Sequence, residues 1–459
     1  MSINFANQRF LILGAGITGS AVARSLNSRG GQVTFADDNS ASAIKPDAID
    51  LKEFDAVVIS PGWRPDHPLV KAVFASGLEI YNEIDLAWQI RCEIAPKQKW
   101  LALTGTNGKT TTVEMAVKIL QKAGLNAAAC GNVGDTVIDA VDRTDSFEYL
   151  VLELSSFQLH WAKQARFVSA AILNIADDHL DWHETFESYA QAKFSILENT
   201  EIGILNADDL QVLTRASSWP GRKVFFSLKV PGPGEMGVVE DLLVDRAFVD
   251  DPQQASVICE LVDVKPTVPH NVLNALAAAA LARSVNISHE VIQAALQEFR
   301  PGRHRIETIF ESDSISWVDD SKATNPHAAA ASLNSHLSVV WIAGGLAKGA
   351  DLSGVIQGCK SRIKAVILVG TDRDLIEQAL IEFAPDIPRV KIDPPSDYIR
   401  GAGSNAFMES VVLQAVKFVA AGDTVLLAPA CASMDQFISY ADRGDRFAAA
   451  VRKLVAHEH

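Results

Sequence analysis

The chain of 459 residues exceeds the ~250–300 at which one core stops growing, so two or three domains are expected. A hydrophobic share of 48% and a charged share of 21% argue against disorder, collagen and a disulfide scaffold, and five scattered cysteines, never as Cys-x-x-Cys, argue against structural zinc and for a reducing cytoplasm. A net charge of −15 argues against a nucleic-acid partner, so any anionic ligand must be met by a few well-placed cations.

Short apolar runs alternate with helical patterns, which predicts an α/β protein with parallel sheets crossed by helices. Arg9–Leu13 leads into Gly14-x-Gly16-x-x-Gly19, and a helical stretch follows to Gly30-Gly31. Strands at Gln32–Ala36 and Ala56–Ser60 end in Asp37-Asp38 and Pro61-Gly62, the pattern of a Rossmann-like domain. The glycines with Asp37 form a dinucleotide fingerprint, open to NAD, to another nucleotide, or to plain helix–strand packing. A break at Ala95-Pro96-Lys97 suggests a linker, after which Trp100–Thr104 opens a second unit. Its helix carries Val113, Ala116, Val117 and Leu120 on one face. Further strands are expected at Tyr149–Leu154, Val168–Ile175 and Ile202–Asn206, an irregular segment over Lys229–Pro269, and an Ala-rich core helix over Val272–Ala282. That run is well short of a membrane span, and no secretion signal is visible at the start. A third block after Arg300-Pro301-Gly302 has strands near Ser338–Ala343, Lys364–Val369 and Thr424–Ala428.

The strongest chemical signal is Thr104-Gly105-Thr106-Asn107-Gly108-Lys109-Thr110-Thr111, between a buried strand and an amphipathic helix. Backbone N–H groups of such a loop close on phosphates, Lys109 can reach the β- and γ-phosphates, and Thr110 can ligate Mg²⁺. Leu103 stands where the common phosphate loop has its first glycine, so the loop is a variant. Glu153 and Asp177-Asp178-His179 follow buried runs, and Lys193 sits in a helical pattern. Each alone reads as a surface group, but ligands bind beyond the carboxyl ends of parallel strands, so Glu153 and His179 point to one crevice beside the loop. A carboxylate and an imidazole there suit a hard divalent cation. His270-Asn271-Val272-Leu273-Asn274 opens the Ala-rich helix, and Asp319-Asp320-Ser321-Lys322-Ala323-Thr324-Asn325-Pro326 ends a strand in a density of polar groups that a bare turn does not require.

With Glu-Leu-Ser-Ser-Phe-Gln-Leu from Glu153, Asp-Asp-His-Leu-Asp from Asp177, His304-Arg305 and Pro429-Ala430-Cys431-Ala432-Ser433-Met434 added, the chain resembles the Mur ligase family from about Leu11 to Arg446. The resemblance implies an N-terminal Rossmann-like domain binding UDP (1–95), a central phosphate-loop ATPase domain with a parallel sheet (96–300), and a C-terminal Rossmann-like domain (301–459) closing on ATP and an amino acid. It implies an ATP-dependent ligase that adds D-glutamate to the alanyl carboxylate of UDP-N-acetylmuramoyl-L-alanine through an acyl phosphate, in the cytoplasm, as a monomer without membrane insertion. ATP is implied to meet Gly105, Thr106, Asn107, Gly108, Lys109, Thr110, Thr111, Asn271, Asn274, His304, Arg305 and Asp320. Two Mg²⁺ sites are implied at Thr110, Glu153, His179 and Lys193, the lysine as a carbamate formed with CO₂. Ile17, Thr18, Asp37, Asp38, Ser60 and Gly62 are implied for the UDP part, and Asn132, Ser155 and Gln158 for the rest of that substrate. The amino acid is implied to meet His179, Lys322, Thr324, Lys348, Ser433, Met434 and Tyr440. The chain departs from the family's usual pattern at Asp38-Asn39, Val268-Pro269, Pro301-Gly302-Arg303 and Tyr440. Another acceptor such as L-glutamate, and an NAD-dependent oxidoreductase resting on the glycine fingerprint, are the alternatives.

Overall fold

The computed structural model describes residues 5–251, 253–396, 398–400 and 406–455. Strands β1 (Arg9–Leu13), β2 (Gln32–Ala36), β3 (Ala56–Ile59) and β4 (Glu79–Tyr81) pair in parallel in the order β2-β1-β3-β4. A nine-stranded sheet follows, from β5 (Lys99–Thr104), β6 (Ala127–Gly131), β7 (Tyr149–Glu153), β8 (Phe167–Ile172), β9 (Thr200–Asn206), β10 (Arg222–Phe226), β11 (Glu235–Val239), β12 (Leu242–Asp245) and β13 (Ser256–Glu260). Its order is β13-β12-β11-β10-β9-β8-β5-β7-β6, parallel except where β12 pairs with its two neighbours. The last sheet, β14 (Glu307–Ser312), β15 (Ile315–Asp319), β16 (Val339–Gly344), β17 (Ile363–Val369), β18 (Arg389–Lys391) and β19 (Thr424–Leu427), runs β14-β15-β19-β16-β17-β18 and is parallel but for the β14–β15 hairpin.

The expected strands are present because their apolar runs are buried on both faces, as a parallel sheet covered by helices requires. Lys229–Pro269 corrects the expectation of irregular structure: it holds the meander β11, β12 and β13. Proline and glycine punctuate three strands of only four or five residues there, so no long periodic signal exists. Strand β6 also escaped the pattern, since Ala127-Ala128-Ala129 lacks the branched side chains that mark strands.

The chain forms two compact units, Met1–Thr267 with Asn271–Phe299, and Val268–His270 with Arg300–His459. In the first, the four- and nine-stranded sheets share one core in which Phe10, Ile12 and Leu26 pack with Ile138, Leu152 and Leu159. The buried Asp85 carboxylate strengthens that joint by accepting N–H bonds from Lys163, Gln164 and Ala165 at 2.7, 2.8 and 3.0 Å. In the second unit, alternation along β16 sends Trp341 and Ala343 to one face and Val340 and Ile342 to the other. Among the described residues no helix is long and apolar enough to cross a membrane.

Candidate active site

The phosphate loop leaves the carboxyl end of β5 and enters the helix Lys109–Lys122. Gly108 has φ +81°, and a Cβ there would lie 2.4 Å from Asn274 Oδ1, so only glycine lets the loop pack on this buried asparagine. Lys109 Nζ curls back and donates to the Gly105 and Thr106 carbonyls, both at 2.9 Å. Asn107 is fixed through its backbone by Asn174, which accepts from its N–H at 2.8 Å and donates to its carbonyl at 3.0 Å. Thr110 stands half-buried beside Lys109, while Thr111 faces the core. Asn271 is also buried and donates to the Pro266 carbonyl at 2.9 Å.

Glu153 ends β7 and Lys193 lies near the end of the helix Phe186–Phe194; they are 1% and 2% exposed. Lys193 Nζ donates to the Gly105 carbonyl at 2.8 Å, so the two lysines share an acceptor. Burial, reinforced by the Lys109 charge, pushes the Lys193 ammonium far below its usual range. Glu153 Oε1 accepts from Asn132 Nδ2 at 2.8 Å, whereas Oε2 is buried and has no hydrogen-bond partner among the described residues. An unpartnered buried carboxylate oxygen is the donor a divalent cation would satisfy, and a carboxylate with the Thr110 hydroxyl offers the oxygen ligands that Mg²⁺ takes. His179 has φ +54° and a ring 45% exposed. Partial burial depresses its pKa against the opposing pull of Asp178. Its ring rests on Phe157 (centroids 4.7 Å apart), and Phe157 also stacks on His183.

His183, Asn174 and Tyr189 also support the site, though no motif in the sequence marks them. His183 is buried, meets Ser156 Oγ at 2.9 Å and is driven by burial to a pKa of about 4, so it is a neutral prop for the His179 turn. Its spacing of four from His179 was the available signal. Tyr189 holds Thr106 Oγ1 at 2.8 Å, a contact across 83 residues that no local pattern announces. Ser155 and Gln158 form a reciprocal capping box on the helix Ser156–Trp161, so both have a structural task besides any substrate contact.

At the carboxyl ends of β1, β2 and β3 a cavity of about 600 Å³ is lined by Gly14, Asp37, Asp38, Asn39, Ser60 and Gly62. Trp63, Arg64, Asp66, His67 and Pro68 complete its wall and were not foreseen, whereas Ile17 and Thr18 start the helix outside this lining. Asp37 accepts the Ala15 and Asn39 N–H groups, each at 2.8 Å, and these bonds lower its pKa. Arg64 donates to the Asp181 carbonyl at 2.7 Å and Trp182 Nε1 to the Gly62 carbonyl at 3.3 Å, which ties the cavity's rim to the segment that carries His179.

In the second unit, the carboxyl ends of β15, β16 and β19 bring Lys322, Thr324, Lys348, Ser433 and Met434 to one sheet edge. Lys322 Nζ lies 4.0 Å from the Tyr440 ring centroid, and Leu346 pairs with Ala432 in both directions at 2.9 Å. Lys348 is exposed with φ +52°, Met434 is exposed, and Ser433 is buried. Buried Asp320 accepts the Ile306 N–H at 3.3 Å, and burial raises its pKa to about 7. Arg305 is half-buried next to His304. His304 has φ +65°, held by its N–H to Glu307 Oε2 at 3.0 Å and its carbonyl to the Lys322 N–H at 3.2 Å. Its Nδ1–H donates to buried Asp319 Oδ2 at 2.7 Å. His304, Glu307 and Asp319 also cluster closely enough to suggest a metal, but both carboxylates already serve His304.

The hydrogen bond to Asp319 raises the His304 pKa above its unfolded value. Its stabilisation is therefore full below about pH 6.5 and is lost as pH rises through the folded pKa. Asp319→Asn is expected to lower the unfolding free energy by about 2 kcal/mol at pH 6. The loss should shrink toward pH 9 in denaturant titrations, and an equal loss at both values would refute the ion pair.

Parallel sheets with a phosphate loop at a strand's carboxyl end define an α/β enzyme that works on nucleotide phosphates. Residues 103–282 match the Mur ligase middle domain and residues 304–431 the Mur ligase, glutamate ligase domain. The UDP-N-acetylmuramoylalanine--D-glutamate ligase of Streptomyces avermitilis is 44% identical over 99% of this chain and 100% of its own length. That of Thermobifida fusca is 46% identical over 97% and 98%. Among solved structures, a pseudomurein peptide ligase type C from Methanothermus fervidus shares the fold with a TM-score of 0.60 at 20% identity, covering 98% of this chain and all of its own. The chain belongs to the Mur ligase family, ATP-dependent enzymes that form amide bonds.

Proposed function

We propose that this enzyme adds D-glutamate to the alanyl carboxylate of UDP-N-acetylmuramoyl-L-alanine, in the cytoplasm, as a monomer. The observation that carries the reading is the identity of 39–46% over nearly the whole chain to several ligases named for that reaction. A carboxylate is a poor electrophile, so an oxygen of the alanyl group first attacks the γ-phosphorus of ATP, giving an acyl phosphate and ADP. The amine of D-glutamate then attacks the acyl carbon, and the tetrahedral intermediate expels phosphate. Catalysis of both steps rests on positioning and on neutralising charge.

In this reading residues 1–95 take the UDP group, through Asp37, Asp38, Ser60 and Gly62 with Ile17 and Thr18 at the helix start. Residues 96–300 take the ATP phosphates, which Lys109 reaches by leaving the Gly105 and Thr106 carbonyls. Asn132, Ser155 and Gln158 meet the remainder of the UDP substrate. Residues 301–459 serve the nucleotide through His304, Arg305 and Asp320, and residues 96–300 through Asn271 and Asn274. Lys322, Thr324, Lys348, Ser433, Met434 and Tyr440 receive the amino acid, the lysines meeting its two carboxylates. Bound Mg²⁺, which Thr110, Glu153, His179 and Lys193 would hold in two sites, supplies shielding of the phosphate charge. Lys193 enters that set as a carbamate: a buried, deprotonated amine is the form that reacts with CO₂, and it would place a second anionic oxygen donor beside that of Glu153.

Phosphate release from ATP with UDP-N-acetylmuramoyl-L-alanine, compared for D-glutamate, L-glutamate and no amino acid, tests the reading. Release that depends on D-glutamate, with product mass raised by one glutamyl residue, is expected. Release with L-glutamate alone would keep the family and overturn the acceptor. Nicotinamide binding without ATP turnover would return the glycine fingerprint to its alternative.

A further inference from the structure

The loops at the carboxyl ends of β15 and β19 are joined by a side chain outside the acceptor residues named above. Arg443 lies one turn into the helix Tyr440–Leu454 and is 1% exposed. Among the described residues its guanidinium donates only to uncharged oxygens: Nε to Ser321 Oγ at 2.9 Å, Nη2 to Ser321 O at 3.0 Å and Cys431 O at 3.3 Å, and Nη1 to Cys431 O at 3.2 Å. A buried cation whose hydrogen bonds go to neutral oxygens is unfavourable even with Asp319 and Asp435 within electrostatic reach, and an apolar side chain of similar volume would serve stability as well. What only the planar fork supplies is a fixed distance between two backbone segments.

Those segments are the ones that matter for the acceptor. Ser321 precedes Lys322, and Cys431 is two residues before Ser433. Ser321 Oγ donates onward to the Tyr440 carbonyl at 2.8 Å, and the Tyr440 ring lies beneath the Lys322 ammonium. The helix reaches this depth because the next residue is Gly444, where a Cβ would stand 2.2 Å from His304 Nδ1 and 2.6 Å from Asp319 Oδ2.

We propose that Arg443 is a positioning residue that sets the spacing of the Lys322 and Ser433 loops, and thereby the affinity for the acceptor amino acid, without touching it. The inference rests on the reading of those loops as the acceptor pocket. Arg443→Lys keeps the charge but cannot bridge Ser321 and Cys431 with one planar group. It is expected to raise the KM for D-glutamate about tenfold or more while kcat and the KM for ATP change less than about threefold. Hydrogen exchange should accelerate in peptides covering 320–324 and 430–434 and not in those covering β16 or β17. In Arg443→Ala, millimolar methylguanidinium should bring the D-glutamate KM back toward the wild-type value; if that variant does not fold, Arg443→Lys decides alone. A uniform fall in kcat with every KM unchanged, or loop exchange equal to wild type, would overturn the proposal. Wild-type enzyme that turns over a different acceptor would overturn the D-glutamate reading instead, and loop exchange with that acceptor's KM would still decide the role of Arg443.

Discussion

Lys193→Ala is expected to lower kcat by about 10³-fold, and millimolar formate or acetate to restore part of the loss. Lys193 has no solvated face on which an ammonium would be comfortable: it is 2% exposed, sits over the Tyr189 ring at 4.8 Å, and shares the Gly105 carbonyl with Lys109. Burial and the neighbouring cation favour the neutral amine, which is the form CO₂ requires, and Glu153 Oε2 nearby lacks a partner among the described residues. A carbamate would turn the residue from a cation into an anionic oxygen donor. Removing it leaves a gap that a small carboxylate can enter. A plain structural lysine predicts something different, namely lower thermal stability, little change in kcat per folded molecule, and no response to formate.

The glycine fingerprint gives the second large effect, because its members do different work. A Cβ on Gly19 would lie 1.9 Å from the Gly14 carbonyl oxygen, so the first helix cannot seat against β1 with any side chain there. Gly19→Ala is expected to lower the unfolding free energy by about 3 kcal/mol in denaturant titrations, since the obstacle is backbone and cannot swing away. A Cβ on Gly16 would meet nothing within 4 Å. Gly16→Ala should therefore change stability by less than about 0.5 kcal/mol, yet raise the KM for the UDP substrate about tenfold or more by crowding the approach to its phosphates. Equal stability of Gly19→Ala and wild type would contradict this account of the turn, and an unchanged KM in Gly16→Ala would remove the ligand from it.

Much of this was legible in the residues because parallel sheets are local in their signals. Arg9–Leu13 and Trp100–Thr104 read as strands from their apolar runs, and the glycines after them mark where phosphates can approach. The site's supports were not legible, for they are long-range. Asn132 reaches Glu153 across 21 residues, His304 reaches Asp319 across 15, and Arg443 reaches Ser321 across 122, and each bond depends on strand order rather than on spacing. Trp63 and Arg64 line the cavity at the carboxyl ends of β1, β2 and β3 because the turn after β3 borders it, a matter of backbone path that a Pro-Gly signal leaves open. The strands within Lys229–Pro269 were hidden for the opposite reason, that their pairing is local but too short to show a period.

In the proposed reaction an oxygen of the alanyl carboxylate is phosphorylated before the amine attacks. This order is tested most directly with UDP-N-acetylmuramoyl-L-alanine labelled with ¹⁸O in that carboxylate, ATP, Mg²⁺ and D-glutamate, followed by mass analysis of the released phosphate. The mechanism predicts one ¹⁸O in each phosphate and one retained in the new amide carbonyl. Unlabelled phosphate would mean that water, not the carboxylate, takes the phosphoryl group, and the acyl-phosphate route would be wrong.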